Sequence, residues 1–173
     1  MIVGVGVVGS AIGRMLKSFG MTIIGVSRTL REIEGFDRLV TRDMVRQVVA
    51  DADFLINVLP GDAGNLGMIG ADLFAAMKPS GFFINVGRGE TVDEAALISA
   101  LRDGRLAGAG LDVFAEEPLP ADNPLWDLPN VSVLPHIAGW SNAYKDAAMP
   151  IVLEDMRLFL DGRRAEMCNI VPH

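Results

Sequence analysis

A chain of 173 residues, half of them hydrophobic and 21% charged, has enough apolar material for one well-buried domain and little room for two. Its formal net charge of −7 excludes broad binding to a nucleic-acid backbone, although a local positive site for a phosphorylated cofactor stays open. The single cysteine, Cys168, excludes an intrachain disulfide, and with two histidines no structural zinc site is expected.

No apolar run reaches the roughly 20 residues that span a bilayer, and no basic leader with a cleavage pattern opens the chain. The expectation is a cytoplasmic protein with no membrane and no nucleic-acid partner. Along the chain, short apolar runs at 2–5, 22–26, 54–58, 82–86, 109–113 and 131–134 read as strands covered on both faces. Helical periodicity fills 8–19, 41–50, 71–77 and 93–102, and a terminal helix spans 141–161. The third helix is stopped by Lys78-Pro79-Ser80-Gly81, since proline cannot continue it. Asp93 is the expected N-cap of the fourth, with Gly104 just past its end. Residues 116–129 carry four prolines and read as an irregular loop. Strands alternating with helices at this spacing predict an α/β fold with a doubly wound parallel sheet, forming a single domain over 1–173.

The turn after the first strand reads Gly4-Val5-Gly6-Val7-Val8-Gly9. This is the G-x-G-x-x-G spacing of a Rossmann-type dinucleotide site. One glycine makes the tight turn, the next admits a pyrophosphate, and the third lets the helix pack closely while its N-terminus faces the anion. The second strand ends Gly25-Val26-Ser27-Arg28-Thr29, with no acid before Glu32. A carboxylate there would bind the ribose hydroxyls of NAD(H). Arg28 instead suits a 2′-phosphate, with Ser27 or Thr29 as hydrogen-bond donors, so the pattern predicts NADP(H) over NAD(H).

Further along stand Ile84-Asn85-Val86-Gly87-Arg88-Gly89, Val92-Asp93-Glu94-Ala95-Ala96-Leu97, Ala109-Gly110-Leu111-Asp112-Val113-Phe114, Glu117-Pro118 and Pro135-His136-Ile137-Ala138-Gly139. In this order and spacing the chain resembles the D-isomer-specific 2-hydroxyacid dehydrogenases, whose members include glyoxylate/hydroxypyruvate reductases. The resemblance implies three catalytic residues. His136 would act as general acid and base, Glu117 would orient its imidazole, and Arg88 would bind the carboxylate of a small 2-oxoacid or 2-hydroxyacid. It also implies cofactor contacts at Val7, Val8, Ser27, Arg28, Leu59, Pro60, Val86, Gly87, Arg88, Asp112, His136, Ala138 and Gly139. The loop Gly61-Asp62-Ala63-Gly64-Asn65 departs from the family pattern, although Asn65 keeps a hydrogen-bonding side chain. A homodimer is a further implication.

The family's substrate domain is built mostly from sequence preceding the fingerprint, and this chain begins three residues before Gly4. The expectation is therefore a cofactor-binding domain lacking that substrate domain. Hydride transfer between NADP(H) and a 2-oxoacid, a non-catalytic dinucleotide-binding or sensing module, and an inactive truncated fragment all stay open.

Overall fold

The computed structural model describes residues 1–168 and 170 and divides the chain into two compact units, Met1–Ala138 and Gly139–His173. The first unit is built on seven parallel strands: β1 (Ile2–Val3), β2 (Ile24–Val26), β3 (Arg38–Val40), β4 (Phe54–Asn57), β5 (Phe82–Asn85), β6 (Gly108–Leu111) and β7 (Val131–Val133). Their order across the sheet is β3-β2-β1-β4-β5-β6-β7. The chain thus winds outward from β1 in both directions, as the alternating sequence pattern predicts for a doubly wound sheet. The order reverses between β1 and β4, which makes their carboxyl ends the crevice where ligands bind in such sheets.

Four helices accompany these strands: α1 (Val7–Ser18), α2 (Val45–Val48), α3 (Ala71–Ala76) and α4 (Glu94–Arg102). Asp93 caps α4 by accepting the Ala96 N–H at 3.0 Å, and Gly104 follows the last turn with φ +66°. Side chains alternate between the two faces of the sheet. Ile2, Ile56 and Ile84 share the register row that packs with Ile12 and Leu16 of α1. Val3, Leu55 and Phe83 belong to the larger core with Leu73, Phe74, Leu97 and Leu101.

Two elements differ from expectation. Strand β3 is missing from the apolar runs because it is three residues long, carries an exposed arginine and lies on the sheet edge. It is anchored from outside by Asp37, whose carboxylate accepts the Ile23 N–H at 2.7 Å and pairs with Lys17 at 2.5 Å. The helix expected over 41–50 is α-helical only at Val45–Val48, between 3-10 turns at Arg42–Met44 and Val49–Asp51. Three β-branched valines in five residues weaken a regular helix there. In the second unit, α5 (Tyr144–Leu160) occupies most of the expected terminal helix and ends before Gly162, at φ +74°. Among the described residues no helix is long and apolar enough to cross a membrane.

Candidate active site

The fingerprint turn leaves β1 and enters α1. Gly4 adopts φ +100°, a conformation that costs a residue with a side chain. A Cβ on Gly9 would stand 2.0 Å from the Gly4 carbonyl oxygen, so only glycine lets α1 approach the strand this closely. A Cβ on Gly6 would meet nothing within 4 Å, which leaves the middle of the turn open to a ligand. Val7 and Val8 begin α1 and are exposed.

A crevice of about 350 Å³ opens beside this turn. It gathers Gly4 and Gly6 with Ser27, Arg28 and Thr29 from the end of β2, and Leu59, Pro60 and Asn65 from the loop after β4. Two residues that the sequence reading passed over also line it, Arg31 and Arg42. Arg31 donates to the Val5 carbonyl at 3.1 Å, which ties it to the fingerprint turn. Arg42 donates to the Gly64 carbonyl at 2.9 Å and to Asn65 Oδ1. Asn65 is buried and donates in turn to the Pro60 carbonyl at 2.9 Å. Among the described residues, no acidic side chain lines this crevice.

Toward β5, β6 and β7 the strand ends carry His136 and Glu117, in contact with each other. His136 Nδ1 lies 2.7 Å from Glu117 Oε2, and Glu117 Oε1 accepts the Phe114 N–H at 3.0 Å. Partial burial pushes the Glu117 carboxyl up. The hydrogen bonds from His136 and Phe114, with the charges of His136 and Arg88, outweigh that and hold it below the ordinary glutamate range. The pair borders a cleft of about 590 Å³ walled by Phe114, Leu119, Trp126 and Leu134.

His136 has φ +55°, the only left-handed residue other than glycine among those described. Asp112, buried at the end of β6, stabilises that turn: its two carboxylate oxygens accept the N–H groups of Ile137 at 2.7 Å and Ala138 at 2.9 Å. Asp112 therefore shapes the histidine turn in addition to any contact with a cofactor. Gly139 begins the second unit and is exposed.

Arg88 follows β5, beyond Val86 and Gly87, and is exposed, with Nη1 donating to the Gly87 carbonyl at 2.7 Å. A fully buried polar cluster fixes its backbone. Asn57 Nδ2 donates to Asn85 Oδ1 at 2.9 Å and to Thr91 Oγ1 at 2.7 Å, and the Thr91 hydroxyl donates to the Arg88 carbonyl at 2.6 Å. Glu94 pins the loop that carries Glu117: its carboxylate accepts the Ala115 N–H at 3.1 Å and the Asn123 amide at 2.9 Å. Asn57, Thr91 and Glu94 were not singled out in the sequence, although Glu94 lies inside one of the motifs quoted above. Among the described residues no group of three His, Cys, Asp or Glu side chains is placed to hold a metal.

Comparison with known proteins bears on this arrangement. Residues 1–138 match the family model described as D-isomer specific 2-hydroxyacid dehydrogenase, NAD binding domain. Glyoxylate/hydroxypyruvate reductase B of Yersinia enterocolitica is 38% identical over 168 residues, covering 96% of this chain and 52% of that protein. A crystal structure of a D-isomer specific 2-hydroxyacid dehydrogenase from Xanthobacter autotrophicus Py2, in complex with NADPH and MES, superposes with a TM-score of 0.88 at 35% identity, over 99% of this chain and 69% of that one. The NADPH-dependent glyoxylate/hydroxypyruvate reductase of Sinorhizobium meliloti in complex with NADP and malonate gives 0.82 at 42% identity, over 92% of this chain and 49% of that one. The chain spans about half the length of the curated relatives it matches.

Proposed function

We propose, for a chain that belongs to the D-isomer specific 2-hydroxyacid dehydrogenase family and whose residues 1–138 form its NAD-binding domain, that it holds NADP(H) for hydride exchange with a small 2-oxoacid or 2-hydroxyacid. The observation that carries the reading is the crevice at the switch point. In a chain of net charge −7 it is lined by Arg28, Arg31 and Arg42 and by no acidic side chain among the described residues. An anionic ligand fits such a lining, and a ribose bound through its hydroxyls by a carboxylate does not. The open face at Gly6 and the close helix approach at Gly9 suit a pyrophosphate at the start of α1. Arg28, with Ser27 and Thr29, would hold a 2′-phosphate, and Leu59 and Pro60 would cover the adenosine. The relatives named above as NADPH-dependent or bound to NADP support the same preference.

When bound, the cofactor supplies the hydride. This chain's residues do the rest. Arg88 presents a fork of donors to the substrate carboxylate and keto oxygen. His136 delivers a proton to the oxygen that becomes the hydroxyl and takes it back in the reverse direction. With Nδ1 committed to Glu117, the imidazole has Nε2 for that transfer. Glu117 fixes the ring.

The test is to follow NADPH oxidation by the purified chain with glyoxylate, hydroxypyruvate and phenylpyruvate, using His136→Ala as control and titrating NADPH and NADH in parallel. Turnover that the control abolishes supports the full reading. Tight NADPH binding without turnover favours a dinucleotide-binding or sensing module instead. Equal affinity for NADPH and NADH, or an Arg28→Ala variant with unaltered selectivity, refutes the cofactor preference. A homodimer and a cytoplasmic location belong to the same proposal. Val8 and Met15 of α1 and Phe19 just after its end are exposed apolar residues, and a light-scattering mass of one chain at all concentrations would refute the dimer.

A further inference from the structure

Several cations of the first unit have carboxylate partners, and Arg42, which lines the crevice, has none among the described residues. Lys17 pairs with Asp37, Lys78 with Asp53, and Arg46, one turn further on, lies 3.7 Å from Asp72. Arg42 is half-buried, and its two nitrogens donate to neutral acceptors, the Gly64 carbonyl and Asn65 Oδ1; no carboxylate among the described residues pairs with it. A neutral amide side chain could make hydrogen bonds of that kind. The positive charge is therefore surplus to holding the loop, and it costs desolvation wherever it has no anion.

Its position says which anion. The Ser27 N–H donates to the Val40 carbonyl at 3.0 Å, so the ends of β2 and β3 are tied together. Arg42 follows two residues after Val40 and reaches across to the loop after β4, where Asn65 is anchored on Pro60. It thus closes the outer wall of the crevice from the same end as Ser27 and Arg28. It does so through the segment Gly61-Asp62-Ala63-Gly64-Asn65, where the sequence departs from its family.

We propose that Arg42 is a specificity-determining residue, whose fixed guanidinium selects a 2′-phosphorylated adenine nucleotide over its unphosphorylated counterpart. This rests on the cofactor reading above and deepens it: Arg28 is not the sole source of selectivity, and the variant loop is the scaffold that holds the second charge still. A rigid guanidinium gains more from a phosphate than a mobile one, because less conformational freedom is lost on binding.

The experiment measures binding of 2′,5′-ADP and 5′-AMP to the full chain by calorimetry, for wild type, Arg42→Gln and Arg42→Leu, with circular dichroism to verify folding. Arg42→Gln keeps an amide donor on a shorter side chain and removes the charge, and Arg42→Leu removes both. We expect wild type to favour 2′,5′-ADP and both variants to lower the ratio of the two affinities by about fivefold, a size typical of one phosphate–guanidinium contact in a half-open site. An unchanged ratio in the folded Arg42→Gln chain overturns the inference and leaves Arg42 as a loop staple. Wild type that binds neither nucleotide, or binds both equally, overturns the NADP(H) reading itself and this inference with it.

Discussion

Replacing Asp112 with alanine tests how the turn that carries His136 is held. Asp112 is 3% exposed, and its carboxylate accepts two backbone N–H groups, from Ile137 at 2.7 Å and Ala138 at 2.9 Å. A hydrogen bond to a charged acceptor contributes about 1.5–3 kcal/mol net. Both amides belong to the turn that forces His136 to φ +55°, which costs a residue with a Cβ about 1–2 kcal/mol. Without the carboxylate the turn can relax and recover that strain, so the net destabilisation is about 2–4 kcal/mol rather than the full sum. For a chain of this size that lowers the unfolding midpoint by about 5–12 °C. Asp112→Asn keeps one carbonyl oxygen and turns an amide donor toward the other N–H; it should lose about half as much. The assay is thermal unfolding together with hydrogen exchange at Ile137 and Ala138, whose protection should fall in Asp112→Ala while amides of β4 and β5 keep theirs. A midpoint within about 2 °C of wild type, with both amides still protected, would refute the argument.

The two outer glycines and the middle one of the fingerprint should separate in their effects. Gly9→Ala drives a Cβ to 2.0 Å from the Gly4 carbonyl oxygen and should destabilise the chain by about 1–3 kcal/mol in urea unfolding. Gly6→Ala points into open space, so its unfolding midpoint should match wild type while NADPH titration shows at least about a tenfold weaker affinity, close to 1.4 kcal/mol. Thr91→Val removes a buried hydroxyl that serves both Asn57 and the Arg88 carbonyl; about 1–3 kcal/mol should be lost, and the valine isostere excludes a packing explanation. Glu117→Gln should show its effect through pH. The folded Glu117 carboxyl is held below its ordinary value, so the stability it adds is fully present above that ordinary value and is lost as pH falls through the depressed one. Unfolding midpoints of wild type and Glu117→Gln should therefore differ near neutrality and converge in acid, and a gap that widens in acid would contradict the assignment.

Much of this was legible in the sequence because the signals were local. The apolar runs at residues 2–5, 54–58 and 82–86 mark strands covered on both faces, and they became β1, β4 and β5 with their ends trimmed by one or two residues. The fingerprint is legible for the same reason: turn, open face and close packing all lie within six residues. The Glu117–His136 contact spans 19 residues and needed the resemblance to suggest it, since neither residue alone distinguishes a catalytic pair from a loop acid and a core histidine. Strand β3 and Arg42 were not legible, because an edge strand needs no apolar run. An arginine after such a strand looks solvated until the fold brings the loop after β4 against it.

The buried polar cluster shows where a further signal lay. The segments Phe54-Leu55-Ile56-Asn57-Val58 and Phe82-Phe83-Ile84-Asn85-Val86 are nearly the same, each ending an otherwise apolar run in asparagine. A strand covered on both faces cannot leave such a side chain unsatisfied, so an asparagine there implies a polar partner at the same level of a neighbouring strand. The register supplies it, Phe54 opposite Phe82 and Asn57 opposite Asn85, and the two amides bond at 2.9 Å. Satisfying one amide with the other still leaves groups free, and Asn57 meets them with Thr91, which returns to the carbonyl of Arg88. The asparagines therefore do more than seal strand ends: they fix the backbone of the residue assigned to the substrate carboxylate from beneath, where water cannot compete. Repetition of a polar residue at matching places in two apolar runs is a readable sign of such a network. Its third member is not readable, because Thr91 joins through a loop whose path only the packed sheet defines.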